Sequence, residues 1–415
     1  MTNLLRTCCL LPFAGLFLGA MMSVIPACSA ASPTQASSVA PKPVPSLADF
    51  DRRARAGERL NVVFFGGSLT WGANATDPLL YSYRALMGQK LEAQYHKAHF
   101  KSWDAAIGGT GSQLGVFRLE RDVLSRHPDL VFLEFTINDH PYELTPARLA
   151  SYESLVRRLT AAGVPVVSVR LPVWQDFQAN PAARPMDAEH EKIARHYGLP
   201  IADVVAAMRA VAKTNPALPD QWWPTNDKTH PGDPGYAAYA DAVWSSYLQA
   251  VEQAVRPHLA PTMLHPDTYM TQVRARLSTL GTLPAGWTVG KPNRLGLAFD
   301  FTMSRWLDDE VVVAPEAASW KLTFQGSMIL MFGESTPQSG KMQVLIDGKP
   351  SAERPDGIFA FALSKDGNMR WVEILAQGLD PKVSHTIELI PQVKAGEELR
   401  IESLGVAGGA ASVSR

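Results

Sequence analysis

The stretch Asn61-Val62-Val63-Phe64-Phe65-Gly66-Gly67-Ser68-Leu69-Thr70-Trp71-Gly72 decides the fold. Its first five residues are almost all apolar and read as a strand buried on both faces, and the paired glycines that follow turn the chain sharply and deliver a serine. The same rhythm continues for nearly two hundred residues. Strand-like runs recur at 102–107, at Asp129-Leu130-Val131-Phe132-Leu133-Glu134-Phe135, at 164–171 and at 199–203. Helical patterns lie between them at 82–95, 114–125, 146–162 and 187–196, and one at 234–255 closes the region. Near-continuous apolar strands separated by amphipathic helices predict an α/β domain with a doubly wound parallel sheet.

In such sheets ligands bind at the carboxyl ends of the strands. The residues capable of chemistry fall there. Ser68 follows the first strand, Gly109 the second and Asn138 the third, while Asp227-Lys228-Thr229-His230 sits in the loop before the last helix. A serine hydroxyl is a weak nucleophile until an imidazole accepts its proton, and a carboxylate is needed to hold that imidazole in the right tautomer. Ser68, His230 and Asp227 supply the three groups.

Taken together, these segments resemble the SGNH, or GDSL-type, esterase superfamily. Gly66-Gly67-Ser68-Leu69 stands where the family has GDSL, with Gly67 replacing Asp. Gly109 within Ile107-Gly108-Gly109-Thr110-Gly111-Ser112 matches the second block, Asn138-Asp139 the GxND block with Thr136 in place of its Gly, and Asp227 to His230 the DxxH block. The resemblance covers about residues 59–255 and implies a flavodoxin-like sheet. It further implies that Ser68 is the nucleophile, His230 the base and Asp227 its orienting acid, with the oxyanion hole formed by the Ser68 and Gly109 amides and the Asn138 side chain. Asp139 is expected to be structural. Trp222 and Trp223, just before the His loop, form either a sugar-facing, substrate-binding wall or plain core packing.

Competing motifs fit less well. Gly66-Gly67-Ser68-Leu69-Thr70 lacks the second glycine of the GxSxG elbow, and the Gly109 loop has the wrong spacing for a dinucleotide fingerprint. His190, Glu191 and His196 miss HExxH spacing, so no catalytic metal and no cofactor are expected. Asn74-Ala75-Thr76 is formally a glycosylation sequon, although a glycan there would obstruct Ser68.

The first 30 residues read as a secretory signal: one positive charge before an apolar run, Cys8 to Ile25, then small residues. Cleavage after Ser29 or Ala30 is one reading. The other takes Ile25-Pro26-Ala27-Cys28 as a lipoprotein box with a lipid anchor on Cys28. Either way the protein is expected outside the cytoplasm: periplasmic, at the cell surface or extracellular. All 3 cysteines lie in this segment, so the mature chain forms no internal disulfide. Residues 31–45, rich in Ser, Ala and Pro, read as a tether. The full chain has 415 residues and a formal net charge of -1, with no basic run to track phosphates, which argues against a nucleic-acid partner.

The α/β domain is expected over 46–257, a connector over 258–286 and a second domain over 287–408. That last region holds many short strand-like runs, such as Ser319-Trp320-Lys321-Leu322-Thr323-Phe324 and Met342-Gln343-Val344-Leu345-Ile346. Turn signals such as Asp347-Gly348 separate them. The pattern predicts an all-β sandwich, similar to the jelly-roll modules of some SGNH carbohydrate esterases. Its Trp320 and Trp371 are placed as core residues. The resemblance therefore implies a serine esterase that removes small acyl groups, chiefly O-acetyl, from an acylated carbohydrate or polysaccharide. A polysaccharide O-acetyltransferase with the same triad and a non-catalytic glycan-binding or assembly protein are the alternatives.

Overall fold

A computed structural model describes residues 43–292, 307–363 and 368–415. The signal segment, Cys28 and the tether up to residue 42 lie outside the described residues.

Strand β1 (Arg59–Gly66) lies at the heart of a five-stranded parallel sheet with β2 (His99–Ala106), β3 (Leu130–Glu134), β4 (Val166–Arg170) and β5 (Ile201–Asp203), in the order β2-β1-β3-β4-β5. Alternate side chains of these strands enter two cores, as the twofold period of a strand requires. Val63, Phe65, Val131 and Leu133 pack under the helices Ser112–Asp122, Pro146–Ala161 and Pro185–His196. Val62, Phe64, Leu130 and Phe132 pack under Leu47–Arg55, Tyr83–Gln94, Val204–Thr214 and Asp233–Glu252. Chain direction across the sheet changes between β1 and β3, so the ends of β1, β2 and β3 open onto one crevice.

The sequence reading missed two of these helices. Val204–Thr214 starts where β5 ends, with Asp203 capping Ala206 N–H at 3.0 Å, so strand and helix follow each other with no loop between them. Leu47–Arg55 is announced by a capping box, Ser46 with Asp49, directly after what reads as the tether.

The C-terminal region is a sandwich of two antiparallel sheets, each of six strands among the described residues. One contains β6 (Gln272–Arg276), β7 (Trp287–Gly290), β8 (Glu310–Val313), β10 (Met328–Ser335), β14 (Met369–Gln377) and β16 (Leu399–Ala407). The other contains β9 (Trp320–Gln325), β11 (Lys341–Ile346), β12 (Lys349–Pro350), β13 (Ile358–Ala360), β15 (His385–Gln392) and β17 (Ser412–Ser414). Trp320 and Trp371 are buried between the sheets. Two expected boundaries shift. Residues 272–276, expected within the connector, pair with β16, and β17 lies wholly beyond residue 408. The part of the connector that precedes β6 is laid on the α/β domain: Glu153 accepts Leu264 N–H and His265 N–H, both at 2.7 Å.

Strand β10 is buried on both faces, which explains the unbroken apolar run of its first five residues, Met328 to Phe332. Ile329 and Met331 face the sandwich core, whereas Met328, Leu330 and Phe332 join the α/β core beneath the helix Ser112–Asp122. Phe117 of that helix meets Phe332 at 5.5 Å and Tyr269 at 6.5 Å between ring centroids. A Cβ on Gly405 would stand 2.6 Å from Phe332 and 2.9 Å from Phe117, so only a glycine lets the two layers close.

Candidate active site

Ser68 opens the short helix Ser68–Trp71 directly beyond β1, and left-handed Gly72, at φ 103°, ends that turn. The geometry demands glycine before it too. A Cβ on Gly66 would lie 2.2 Å from Thr70 Oγ1 and 2.6 Å from the Glu134 carbonyl, because β1 and β3 converge there. Buried Arg118 fixes the same spot from below, donating to the Gly66 carbonyl at 2.9 Å and to the Ala105 carbonyl at the end of β2.

His230 reaches Ser68 from the loop preceding the helix Asp233–Glu252. Its Nε2 lies 2.8 Å from Ser68 Oγ and its Nδ1 2.6 Å from Asp227 Oδ2. The other oxygen of Asp227 accepts the backbone N–H groups of Thr229 at 2.9 Å and His230 at 3.1 Å, a local turn that fixes carboxylate and imidazole together. Partial burial alone would raise the Asp227 pKa; the hydrogen bonds from His230 and Thr229 outweigh it and hold the group below its ordinary value. Ser68, His230 and Asp227 thus form one unbroken chain of hydrogen bonds.

Gly109 and Asn138 border the same crevice. Gly109 is left-handed, at φ 66°, and Thr110 Oγ1 closes the turn by donating to the Ile107 carbonyl at 2.7 Å. Asn138 Oδ1 would stand 2.1 Å from a Cβ at residue 67, so the bare Cα of Gly67 leaves room for the Asn138 amide beside Ser68. Thr136 braces this region from within. Its hydroxyl donates to buried Glu134 at 2.8 Å, behind the loop that carries Asn138.

The tryptophan pair faces away from the crevice. Trp222 and Trp223 are 6% and 0% exposed and pack with Phe177 and Tyr239, so the reading of a sugar-facing wall is corrected to core. The flat indoles fill the space between the helix Asp233–Glu252 and its neighbours, and Trp223 Nε1 donates to the Thr229 carbonyl at 3.3 Å, steadying the His loop from inside. His190, Glu191 and His196 do not converge. His190 is buried against Tyr152, Glu191 pairs with Arg170 and Arg195, and His196 bonds the Thr262 carbonyl.

Sequence reasoning passed over a further residue that holds Asp227 and His230 together. Asn74, at φ 68°, donates from Nδ2 to Asp227 Oδ2 at 3.1 Å and to the His230 carbonyl at 3.2 Å. The sequon asparagine therefore clamps Asp227 to the backbone of His230. Asn74→Ala is expected to lower kcat on a soluble acetyl ester by up to about 100-fold with KM little changed, since small misplacements of a reacting group carry costs of that order. Steady-state kinetics beside a thermal melt check it.

Asp139 braces the second block from below, its Oδ1 accepting Ser112 N–H at 2.8 Å. Burial pushes its carboxyl up to about 7 against the pull of the Ser112 bonds. The native state then holds a proton that the unfolded chain releases, so this group's stability contribution is complete below about pH 4 and is lost as pH rises through 7. Neighbouring His190, driven down to about 3 by burial, has the opposite slope at acid pH. Asp139→Asn keeps the acceptor and removes the titration. Its stability advantage over the parent is expected to grow between pH 4 and 7 and then level off at on the order of 4 kcal/mol. Melts across that range measure the difference directly.

Residues 64–238, which contain every one of these loops, match the GDSL-like lipase/acylhydrolase family. The chain carries a GDSL-like hydrolase domain. The two-domain fold is also shared: a two-domain esterase (CEX) active on acetylated mannans aligns over 88% of this chain and 96% of its own, at TM-score 0.74 and 22% identity. The same esterase co-crystallized with mannopentaose aligns over 89% of this chain and 97% of its own, at TM-score 0.71 and 24% identity. No curated protein matches the chain. Beside the GDSL-like site lies a cleft of about 410 Å³, bordered by Gly109, Asn138, Gln113 and Arg148 of the α/β domain and by Arg370 and Glu373 of the sandwich.

Proposed function

We propose that the protein is an exported serine esterase that removes O-acetyl groups from a polysaccharide. The observation that carries this reading is the Asp227–His230–Ser68 relay, with contacts of 2.6 and 2.8 Å at the carboxyl ends of the strands. Ser68 Oγ attacks the ester carbonyl while His230 Nε2 takes its proton. The oxyanion that forms is held by the N–H groups of Ser68 and Gly109 and by the Asn138 amide. The tetrahedral intermediate collapses, His230 returns its proton to the departing sugar oxygen, and an acetyl-serine remains. Water, deprotonated by His230, then releases acetate and restores Ser68. Asp227 stays ionised throughout and stabilises the imidazolium.

Three observations support carbohydrate as the acyl carrier. The polar lining of the cleft, with Gln113, Arg148 and Glu373, suits hydroxyl-rich ligands. The esterase of the same two-domain architecture is active on acetylated mannans. The apolar run of the first 30 residues supports export toward a polymer outside the cytoplasm. The test is acetate release from acetylated mannans, xylans and other glycans by the chain lacking residues 1–30, with unacetylated glycan acceptors in parallel. Acetate release dependent on Ser68 is expected. Transfer to an acceptor with little free acetate would instead make it an O-acetyltransferase, and glycan binding with neither activity would make it a binding protein.

A further inference from the structure

We propose that Arg370, carried by the sandwich strand β14, is a positioning residue of the hydrolase site and aims the Gly109 N–H at the oxyanion. The inference rests on the reading of Ser68 as nucleophile and Gly109 as oxyanion donor. Arg370 crosses from the C-terminal domain to the second active-site loop, where its Nη2 and Nε donate to the Gly108 carbonyl at 3.0 and 3.2 Å. Nη2 also donates to the Gly109 carbonyl. Gly108 O and Gly109 N–H belong to a single peptide unit, which is planar and trans, so the two bonds point in opposite directions. Gripping the carbonyl on the sandwich side turns the amide hydrogen to the other side. The left-handed φ of 66° at Gly109 makes this grip necessary, because a glycine pair explores many peptide orientations unless something holds one.

The chemistry of the grip matters as much as its position. Among the described residues no carboxylate pairs with Arg370, although the nearby Arg354 is neutralised by Glu373 at 2.7 Å. The guanidinium therefore spends its charge on backbone carbonyls. A cation hydrogen-bonded to a carbonyl polarises that peptide and strengthens its N–H as a donor. Burial draws the Arg370 pKa down to about 10, which leaves it charged at neutral pH. A lysine would offer a single mobile ammonium in place of a rigid planar fork that takes two carbonyls at once. The sandwich thus completes the hydrolase site besides covering the helix Ser112–Asp122.

The experiment uses the full two-domain chain and a small soluble acetyl ester, which makes no demand on a polysaccharide subsite. Arg370→Ala and Arg370→Lys are each expected to lower kcat by about 10-fold to 100-fold with KM nearly unchanged. Added guanidinium ion should partly restore kcat to Arg370→Ala. Were Arg370 only a docking contact, the variants would lose Tm and keep the parental kcat on the small ester, and that result would overturn the proposal. If Arg370→Ala fails to fold, Arg370→Lys carries the test, and parental kcat in the folded lysine variant is equally fatal. Ser68→Ala runs alongside: retained turnover there defeats the underlying site assignment, whereas a dead Ser68→Ala beside undiminished Arg370 variants defeats this inference alone.

Discussion

Ser68→Ala is expected to reduce turnover of an acetyl ester by about 10⁴-fold to 10⁶-fold while leaving the melting transition within a few degrees of the parent. The size of the loss follows from the hydrogen-bond relay. His230 Nε2 has one partner at 2.8 Å, the Ser68 hydroxyl, and its other nitrogen is already committed to Asp227 at 2.6 Å. Removing the hydroxyl leaves the imidazole with a proton-accepting role and nothing to activate. His230→Ala is expected to cost about as much, and the double variant little more than either single one, because groups that act as a unit fail as a unit. A double variant markedly worse than both would mean that Ser68 and His230 contribute separately. The small effect on stability follows from the same geometry: the Ser68 carbonyl keeps the N–H groups of Gly72 at 2.9 Å and Ala73 at 3.2 Å whatever the side chain.

The second large effect concerns stability. Phe117→Ala is expected to cost about 3–5 kcal/mol, the usual range for truncating a buried phenylalanine, and to lower a single unfolding transition of both domains. Phe117 belongs to the α/β domain, yet its ring lies against Phe332 of β10 and Tyr269 of the connector, and Gly405 of β16 has given up its side chain to make room. The α/β core continues into Met328, Leu330 and Phe332 without interruption. Calorimetry measures the outcome. Two separate transitions, of which only one moves, would show that the domains unfold independently. A chain ending after residue 262 is expected to be poorly soluble for the same reason, since it would expose Leu114 and Phe117 to water.

How far the fold was legible follows from these details. Strands β1, β3 and β4 are buried on both faces, so their apolar runs stand out, and glycines mark the turns into Ser68 and Gly109. Ser68, Asp227 and His230 stood out in the sequence because they occur in a known order, Ser68 at a strand end and the other two in the loop before the last helix. Asn74, Arg118 and Arg370 were not, since each acts on a partner distant in sequence: Asn74 on Asp227, Arg118 on Gly66, Arg370 on Gly108. No local pattern encodes such a pairing. Asn74 was further disguised by its sequon, and Arg370 by its place in a separate all-β region. Trp222 and Trp223 had the opposite problem. An aromatic pair beside a catalytic loop suggests a sugar platform, and only the packing of Phe177 and Tyr239 on the indoles reveals a core. Strand β6 escaped because five residues of mixed polarity, Gln272–Arg276, have no strand signature until β16 lies beside them.

A covalent adduct would identify the nucleophile without reference to any particular substrate. The chain is treated with a fluorophosphonate, which phosphonylates an activated serine, then digested and mapped by mass spectrometry. A single adduct on the peptide containing Ser68, absent from Ser68→Ala and strongly slowed in His230→Ala, is the expected result. An adduct on another serine, or undiminished labelling of Ser68→Ala, would contradict the assignment of the nucleophile and with it the proposed mechanism.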